Sequence, residues 1–170
     1  MDRAKKEKQK NKKAVLLAAA GIFSAAAIVA AVLLMNRGGG ESKYTNRQTG
    51  DLVIPKSGIT QTPSFYPYEA ADGIKMEVLA VKAPDGTIRT AFNTCQVCYA
   101  SGRGYYKTDG ATLVCQNCGN QFTADQVEVQ HGGCNPVPIS PGNKTENADS
   151  IVIPKDFLSQ ASTIFQSWKR

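Results

Sequence analysis

Two cysteine pairs constrain this chain more than anything else in it: Cys95-Gln-Val-Cys98 and Cys115-Gln-Asn-Cys118, with sixteen residues between them. Two residues inside each pair let a turn aim both sulfurs at one centre. A pair, a spacer of this length and a second pair is the spacing of a four-thiolate metal site. The spacer itself reads as a β-hairpin: Gly104 to Lys107 leads up, Thr108-Asp109-Gly110-Ala111 turns, and Thr112 to Val114 returns to Cys115. Asp-Gly between β-prone runs favours such a turn because glycine tolerates positive φ. The hairpin closes on its own ends, and those ends are the cysteine pairs. The predicted unit is a zinc-ribbon-like pair of knuckles on Cys95, Cys98, Cys115 and Cys118. Two disulfides are a competing reading, opposed by the odd total of five cysteines. A thioredoxin-like dithiol is another, but such a motif opens a helix. Here Cys98 and Cys118 run into the turn sequences Tyr-Ala-Ser-Gly and Gly-Asn-Gln.

The fifth cysteine lies in Gln130-His131-Gly132-Gly133-Cys134-Asn135-Pro136-Val137-Pro138. Paired glycines permit close backbone approach, and the prolines fix the exit. So specialised a loop places Cys134 near the metal site as a ligand, as a neighbouring thiol or as part of a second site. A buried free cysteine is the plain alternative. His131 is a further ligand candidate, although a lone loop histidine is more often simply solvated. Arg89, Arg103 and Lys107 are candidates to offset thiolate charge, or ordinary surface charge.

The N-terminal third differs in kind. Residues 1–13 carry seven basic and two acidic side chains, and the remaining chain thirteen and twelve, so the net charge of +6 sits mostly in the tail. The high net charge therefore gives no support to a nucleic-acid-binding face on the folded part. Ala14 to Met35 is uncharged, with Ser24 its polar side chain. As a helix it would span about 33 Å, enough for a bilayer core. The lysines before it predict a cytoplasmic N-terminus and an extracytoplasmic C-terminal part. A cleaved signal peptide is the rival reading, opposed by the length of the run. Residues 36–50 are Gly-rich and polar and read as a flexible linker.

Residues 51–170 are predicted to be the metal-binding domain, mainly β. Leu52 to Pro55 reads as a strand, Ser64 to Tyr68 as extended, and Ile74 to Lys82 with Ile88 to Phe92 as a hairpin over Pro84-Asp85-Gly86. Leu79 and Val81 oppose Ile74, Met76, Val78 and Ala80, so both faces of that strand are expected to be partly covered. Thr123 is a candidate cap for one helical turn, and residues 141–149 read as a loop. Ile151 to Ile153 reads as a strand. After Pro154 an amphipathic helix is expected, with Phe157, Leu158, Ala161, Ile164, Phe165 and Trp168 on one face. Val-Ile-Pro-Lys occurs at 53–56 and again at 152–155, suggesting a pseudo-repeat of strand then helix start. No Ser-His-Asp set, phosphate loop or paired catalytic carboxylates can be named, and one histidine leaves most hydrolytic mechanisms without a base. An electron carrier or metal-binding protein is favoured over an enzyme.

The run Asp85-Gly86 through Arg89, Phe92-Asn93 and Cys95-x-x-Cys98, with Gly104-Tyr105-Tyr106, Cys115-x-x-Cys118-Gly119 and Gly132-Gly133-Cys134-Asn135-Pro136, resembles the FtrD-like family of membrane iron–sulfur proteins. The likeness extends from about Leu52 to Leu158. It implies a membrane-anchored iron or iron–sulfur protein, working beside a permease and cupredoxin-like partners of ferrous-iron uptake, with electron transfer as the role that context suggests. It carries Cys95, Cys98, Cys115, Cys118 and Cys134 over as metal-site residues. Larger members have several membrane helices. One candidate span here does not imply permease activity. A structural zinc-ribbon interaction module and a thiol–disulfide oxidoreductase remain the alternatives.

Overall fold

The computed structural model describes residues 42–170. The basic tail, the expected membrane span at 14–35 and the start of the linker lie outside the described residues. Among the described residues no helix is long and apolar enough to cross a membrane. The strands are β1 (Leu52–Pro55), β2 (Ser64–Glu69), β3 (Lys75–Lys82), β4 (Ile88–Cys95), β5 (Tyr106–Asp109), β6 (Thr112–Cys115), β7 (Gln121–Phe122), β8 (Pro136–Pro138), β9 (Thr145–Glu146) and β10 (Ser150–Ile153). Among the described residues one α-helix, α1 (Lys155–Ala161), follows β10.

The strands form three antiparallel sheets, ordered β1-β10-β9, β2-β3-β4-β8 and β5-β6-β7. The four-stranded sheet lies between two cores, and side-chain alternation along β3 decides which residue enters which. Met76, Val78 and Ala80 join Leu52, Ile54, Phe92, Ile151, Ile153, Leu158 and Phe165 in the first core. Leu79 and Val81 face the other way, into a second core with Ala91, Tyr106, Leu113, Phe122 and Val127. The expectation of two covered faces thus holds, and it has a functional consequence: Cys95, Cys98 and Cys115 belong to that second core.

The two Val-Ile-Pro-Lys segments turn out to be partners. β1 pairs with β10 through Val53↔Val152 and Ile54↔Ile151. Each strand ends at a proline that starts a helical turn, the 3-10 turn Lys56–Gly58 in one case and α1 in the other. Pro154 has no side-chain donor or acceptor to cap α1, and Asp51 does so instead, accepting the Lys155 N–H at 2.9 Å.

Four local expectations need correction. The C-terminal helix stops at Ala161 and continues as a 3-10 turn over Ser162–Phe165. Ser162 and Thr163 hydroxyls bond back to the Ser159 and Gln160 carbonyls, which competes with the helical ladder. The apolar face survives the change, and Phe157, Leu158, Ala161, Ile164, Phe165 and Trp168 all pack on the first core. The second half of the expected linker is folded: Tyr44 sets its ring edge-on to Tyr66 at 4.8 Å, and Gly50 O accepts the Tyr68 hydroxyl at 2.9 Å. The 141–149 loop contains β9, which pairs with β10. Finally, the segment after Phe122 is a series of hydrogen-bonded turns, with the Thr123 N–H donating to Gln126 Oε1 at 2.9 Å.

One of those turns ends in strain. Glu128 adopts φ +67°, a conformation that is costly for a residue with a side chain. Its carboxylate compensates by accepting the Thr90 N–H at 2.8 Å and the Lys144 ammonium at 2.8 Å. The Lys144 side chain is 3% exposed. Glu128→Gln is expected to cost about 2 kcal/mol, because it leaves a buried ammonium without its nearest counter-charge. Denaturant unfolding checks this, and an unchanged midpoint would contradict it.

Candidate metal centre

Both knuckles begin where a strand ends at a cysteine. In the first, β4 ends at Cys95, and the chain turns through Gln96 and Val97 to Cys98. The Cys98 N–H points back at Cys95 Sγ at 3.3 Å. In the second, β6 ends at Cys115, and the chain turns through Gln116 and Asn117 to Cys118. Gly119 follows at φ +75°, a left-handed bend open to glycine without strain. The Gly119 N–H bonds to the Cys115 carbonyl at 2.9 Å, closing the knuckle.

The hairpin between the knuckles is tighter than its sequence suggests. Asp109 pairs directly with Thr112, so the loop is Gly110-Ala111 alone, with Gly110 at φ +59°. Pairing of Tyr106 with Cys115 brings the second knuckle to the base of the hairpin. The first knuckle is docked there by Cys95 N–H donating to Gly104 O at 2.7 Å.

Cys134 arrives by a route that the sequence does not advertise. The prolines of 136–138 form β8, an edge strand beside β4, with Pro136 opposite Cys95. An edge tolerates prolines because one row of N–H groups has no ladder partner to supply. The register of β4 and β8 shifts between Phe92 and Cys95. The Gly132–Pro136 loop is then fastened to the first knuckle by Gln96. Its backbone N–H donates to Asn135 O at 3.0 Å, and its side-chain oxygen accepts the Gly132 N–H at 3.3 Å. The Tyr106 hydroxyl donates to the Cys134 carbonyl. Cys134 Sγ comes to 4.0 Å from Cys98 Sγ.

The five sulfurs form two groups of three. Cys95, Cys98 and Cys115 lie within 4.8 Å of one another, and so do Cys98, Cys118 and Cys134. The first group is buried, at 0%, 7% and 1% exposure, while Cys118 is exposed and Cys134 partly so. His131 belongs to neither group. It lines a separate groove with Arg89, Glu128 and Lys144. Arg89 bonds to Asp85 and the Asp125 carbonyl, and Arg103 to the Gln116 carbonyl.

Protonation follows from burial and from these N–H groups. Burial pushes the Cys98 thiol up to about 12, with the Cys95 sulfur adding to the effect. Burial likewise pushes Cys115 up to about 12. For Cys95 burial acts upward too, but the N–H groups of Cys98 and Val97 outweigh it and hold the thiol below its ordinary value. Cys118 is also lowered; burial opposes this, and the Asn120 N–H and the neighbouring thiols prevail. The Cys118 thiol, followed by burial, raises Cys134 to about 11. A metal that takes both Cys98 and Cys115 must displace two protons, so its affinity is expected to fall with pH. The logarithm of the affinity should drop by roughly two units for each unit fall in pH throughout the range below about 12, where both thiols are protonated in the free protein. Competition against a chromophoric chelator measures the slope, and a flat profile would contradict it.

The donor set fits a thiophilic metal. A tetrahedral ion with arms of about 2.3 Å places its sulfurs about 3.8 Å apart, and two triads here lie within 4.8 Å. The profile of the family described as "Membrane iron-sulfur containing protein FtrD-like" matches residues 60–165. This chain belongs to the FtrD-like family. The matched stretch contains all five cysteines and the strands β4 and β6 that deliver the two knuckles. No curated protein and no solved structure matches the chain.

One positioning residue, Asn93, is not marked for that role by the cysteine spacing. Asn93 is 1% exposed. It accepts the Tyr106 N–H at 2.7 Å, donates to Glu77 at 2.6 Å, and its carbonyl accepts the Trp168 indole N–H at 2.8 Å. It thereby clamps β4, β5 and the C-terminal segment together. An asparagine inside an otherwise β-prone run is the signal that could have marked it.

Proposed function

We propose that this chain is a membrane-anchored protein whose domain, from residue 51 onward, faces the extracytoplasmic side. The domain holds iron on Cys95, Cys98, Cys115 and Cys118, with Cys134 at its edge. It passes electrons or iron to a membrane partner of an iron-uptake system. Residues 14–35 are the anchor and 1–13 the cytoplasmic tail in this reading. Family membership supports the membrane and iron–sulfur parts. The observation that carries the redox part is the exposure gradient: three sulfurs walled off from water and Cys118 open to the surface. Bound iron would supply one-electron chemistry whose potential depends on hydrogen bonds to sulfur and on solvent access. The chain supplies both. The Cys98 N–H donates to the Cys95 sulfur, and the second core excludes water from one side.

A structural zinc module is favoured by one observation: Cys95, Cys98 and Cys115 are themselves core residues, so a metal there would tie β4 to β6. Potentiometric titration of the anaerobically purified full-length chain separates the two. The electron-transfer reading expects thiolate-to-iron absorption that bleaches and returns over repeated reduction and oxidation. A colourless protein with stoichiometric zinc and no redox response would sink it.

A further inference from the structure

We propose that the five cysteines build two metal positions joined by the Cys98 sulfur. The inner position lies on Cys95, Cys98 and Cys115, and the outer, solvent-facing position on Cys98, Cys118 and Cys134. This rests on the reading above that these thiols hold metal, and it adds how many ions they hold and which sulfur they share. A single tetrahedral ion needs four sulfurs mutually about 3.8 Å apart. The sulfurs instead form two groups of three with one member in common. In a sulfide-bridged cluster each cysteine is a terminal ligand to one iron. A sulfur close to all four others, as Cys98 is, has the placement of a bridge.

Charge points the same way. Four thiolates on one divalent ion carry about −2 and leave Cys134 idle, whereas five thiolates on two divalent ions carry about −1. Of the nearby guanidiniums, Arg89 is paired with the Asp85 carboxylate, while Arg103 sits on the Gln116 carbonyl of the second knuckle and supplies one positive charge there. Cys134 is also too well held to be an incidental thiol. Gln96 brackets its loop, and the Tyr106 hydroxyl and the Asn135 side chain fix the loop's carbonyls. The two positions differ in access. The inner sulfurs are buried and the outer pair open, so the outer position exchanges its ion with solvent or a partner while the inner one keeps its own. Soft sulfur donors select ferrous, zinc or cobaltous ions for both.

The test is an anaerobic cobalt(II) titration of the full-length chain in detergent, read by thiolate charge-transfer absorption and metal content. Wild type is expected to saturate at about two ions per chain in two phases. Cys134→Ser and Cys118→Ser should each saturate at about one ion, keeping the tight phase and an unchanged far-ultraviolet circular dichroism spectrum. Saturation of wild type at one ion, or two ions retained by Cys134→Ser, would overturn the shared-sulfur arrangement and leave the proposed function standing. Two irons with two acid-labile sulfides in the protein as purified would also overturn it, in favour of a sulfide-bridged cluster. No binding in wild type would remove the proposed function as well.

Discussion

Replacing Cys115 with serine is expected to release the metal and unfold the half of the domain built on the second core. Cys115 is 1% exposed, packs in that core and lies opposite Tyr106 across the hairpin. Serine would replace its sulfur with a shorter, harder oxygen of poor affinity for a thiophilic ion. Structural thiolate sites contribute on the order of 10–16 kcal/mol when zinc is the ion. That is comparable to a domain's whole stability of about 5–15 kcal/mol. Metal content should fall to near zero and the thermal transition should lose most of its amplitude. Cys118→Ser, at an exposed position, should retain the fold. A Cys115→Ser protein that keeps its metal and its melting transition would refute the assignment of Cys115 as a ligand.

Gly104→Ala is the second large effect. A Cβ built at Gly104 would lie 2.5 Å from the Cys98 carbonyl oxygen, 2.6 Å from its carbon and 2.8 Å from the Tyr99 nitrogen. These are backbone atoms of the first knuckle and have no rotamer to escape into. Either the hairpin base or the knuckle must move, and Cys95 N–H would lose its 2.7 Å bond to Gly104 O in the process. A cost of about 3 kcal/mol or more is expected, at the upper end for overpacking. Metal affinity should weaken as well, because the displaced turn carries Cys98. Gly86→Ala serves as the control, since nothing lies within 4 Å of its built Cβ, though its φ of +85° still exacts a backbone penalty. Chelator competition and denaturant unfolding on both variants decide the matter. Equal effects of the two substitutions would show that the contact with Cys98 is unimportant.

Much of this architecture is legible because it is local. The spacing of the four paired cysteines and the Asp-Gly hairpin between them describe a single turn-strand-turn-strand unit. The alternation along β3 reports two burial environments directly. What the sequence hides is mostly pairing at long range. β1 finds β10 about a hundred residues away, and only the repeated Val-Ile-Pro-Lys hints at it. β8 is masked by its prolines, which ordinarily argue against a strand and are tolerated at an edge. That one pairing is what seats Cys134 beside Cys98, so the fifth cysteine's neighbourhood was expected from its loop, but its route was not. The C-terminal segment was misread in form and not in face. Ser162 and Thr163 end the α-helix by back-bonding, while the apolar side chains still reach the first core. His131, a candidate by residue type, lies in a different groove.

The most direct test of the central claim is the elemental composition, acid-labile sulfide content and visible spectrum of the full-length chain, purified without air and without added metal. The account predicts iron bound through the cysteines, with charge-transfer bands that bleach on reduction and disappear in Cys115→Ser. A protein that carries no metal yet folds, with its five thiols free to titrate, would contradict it outright.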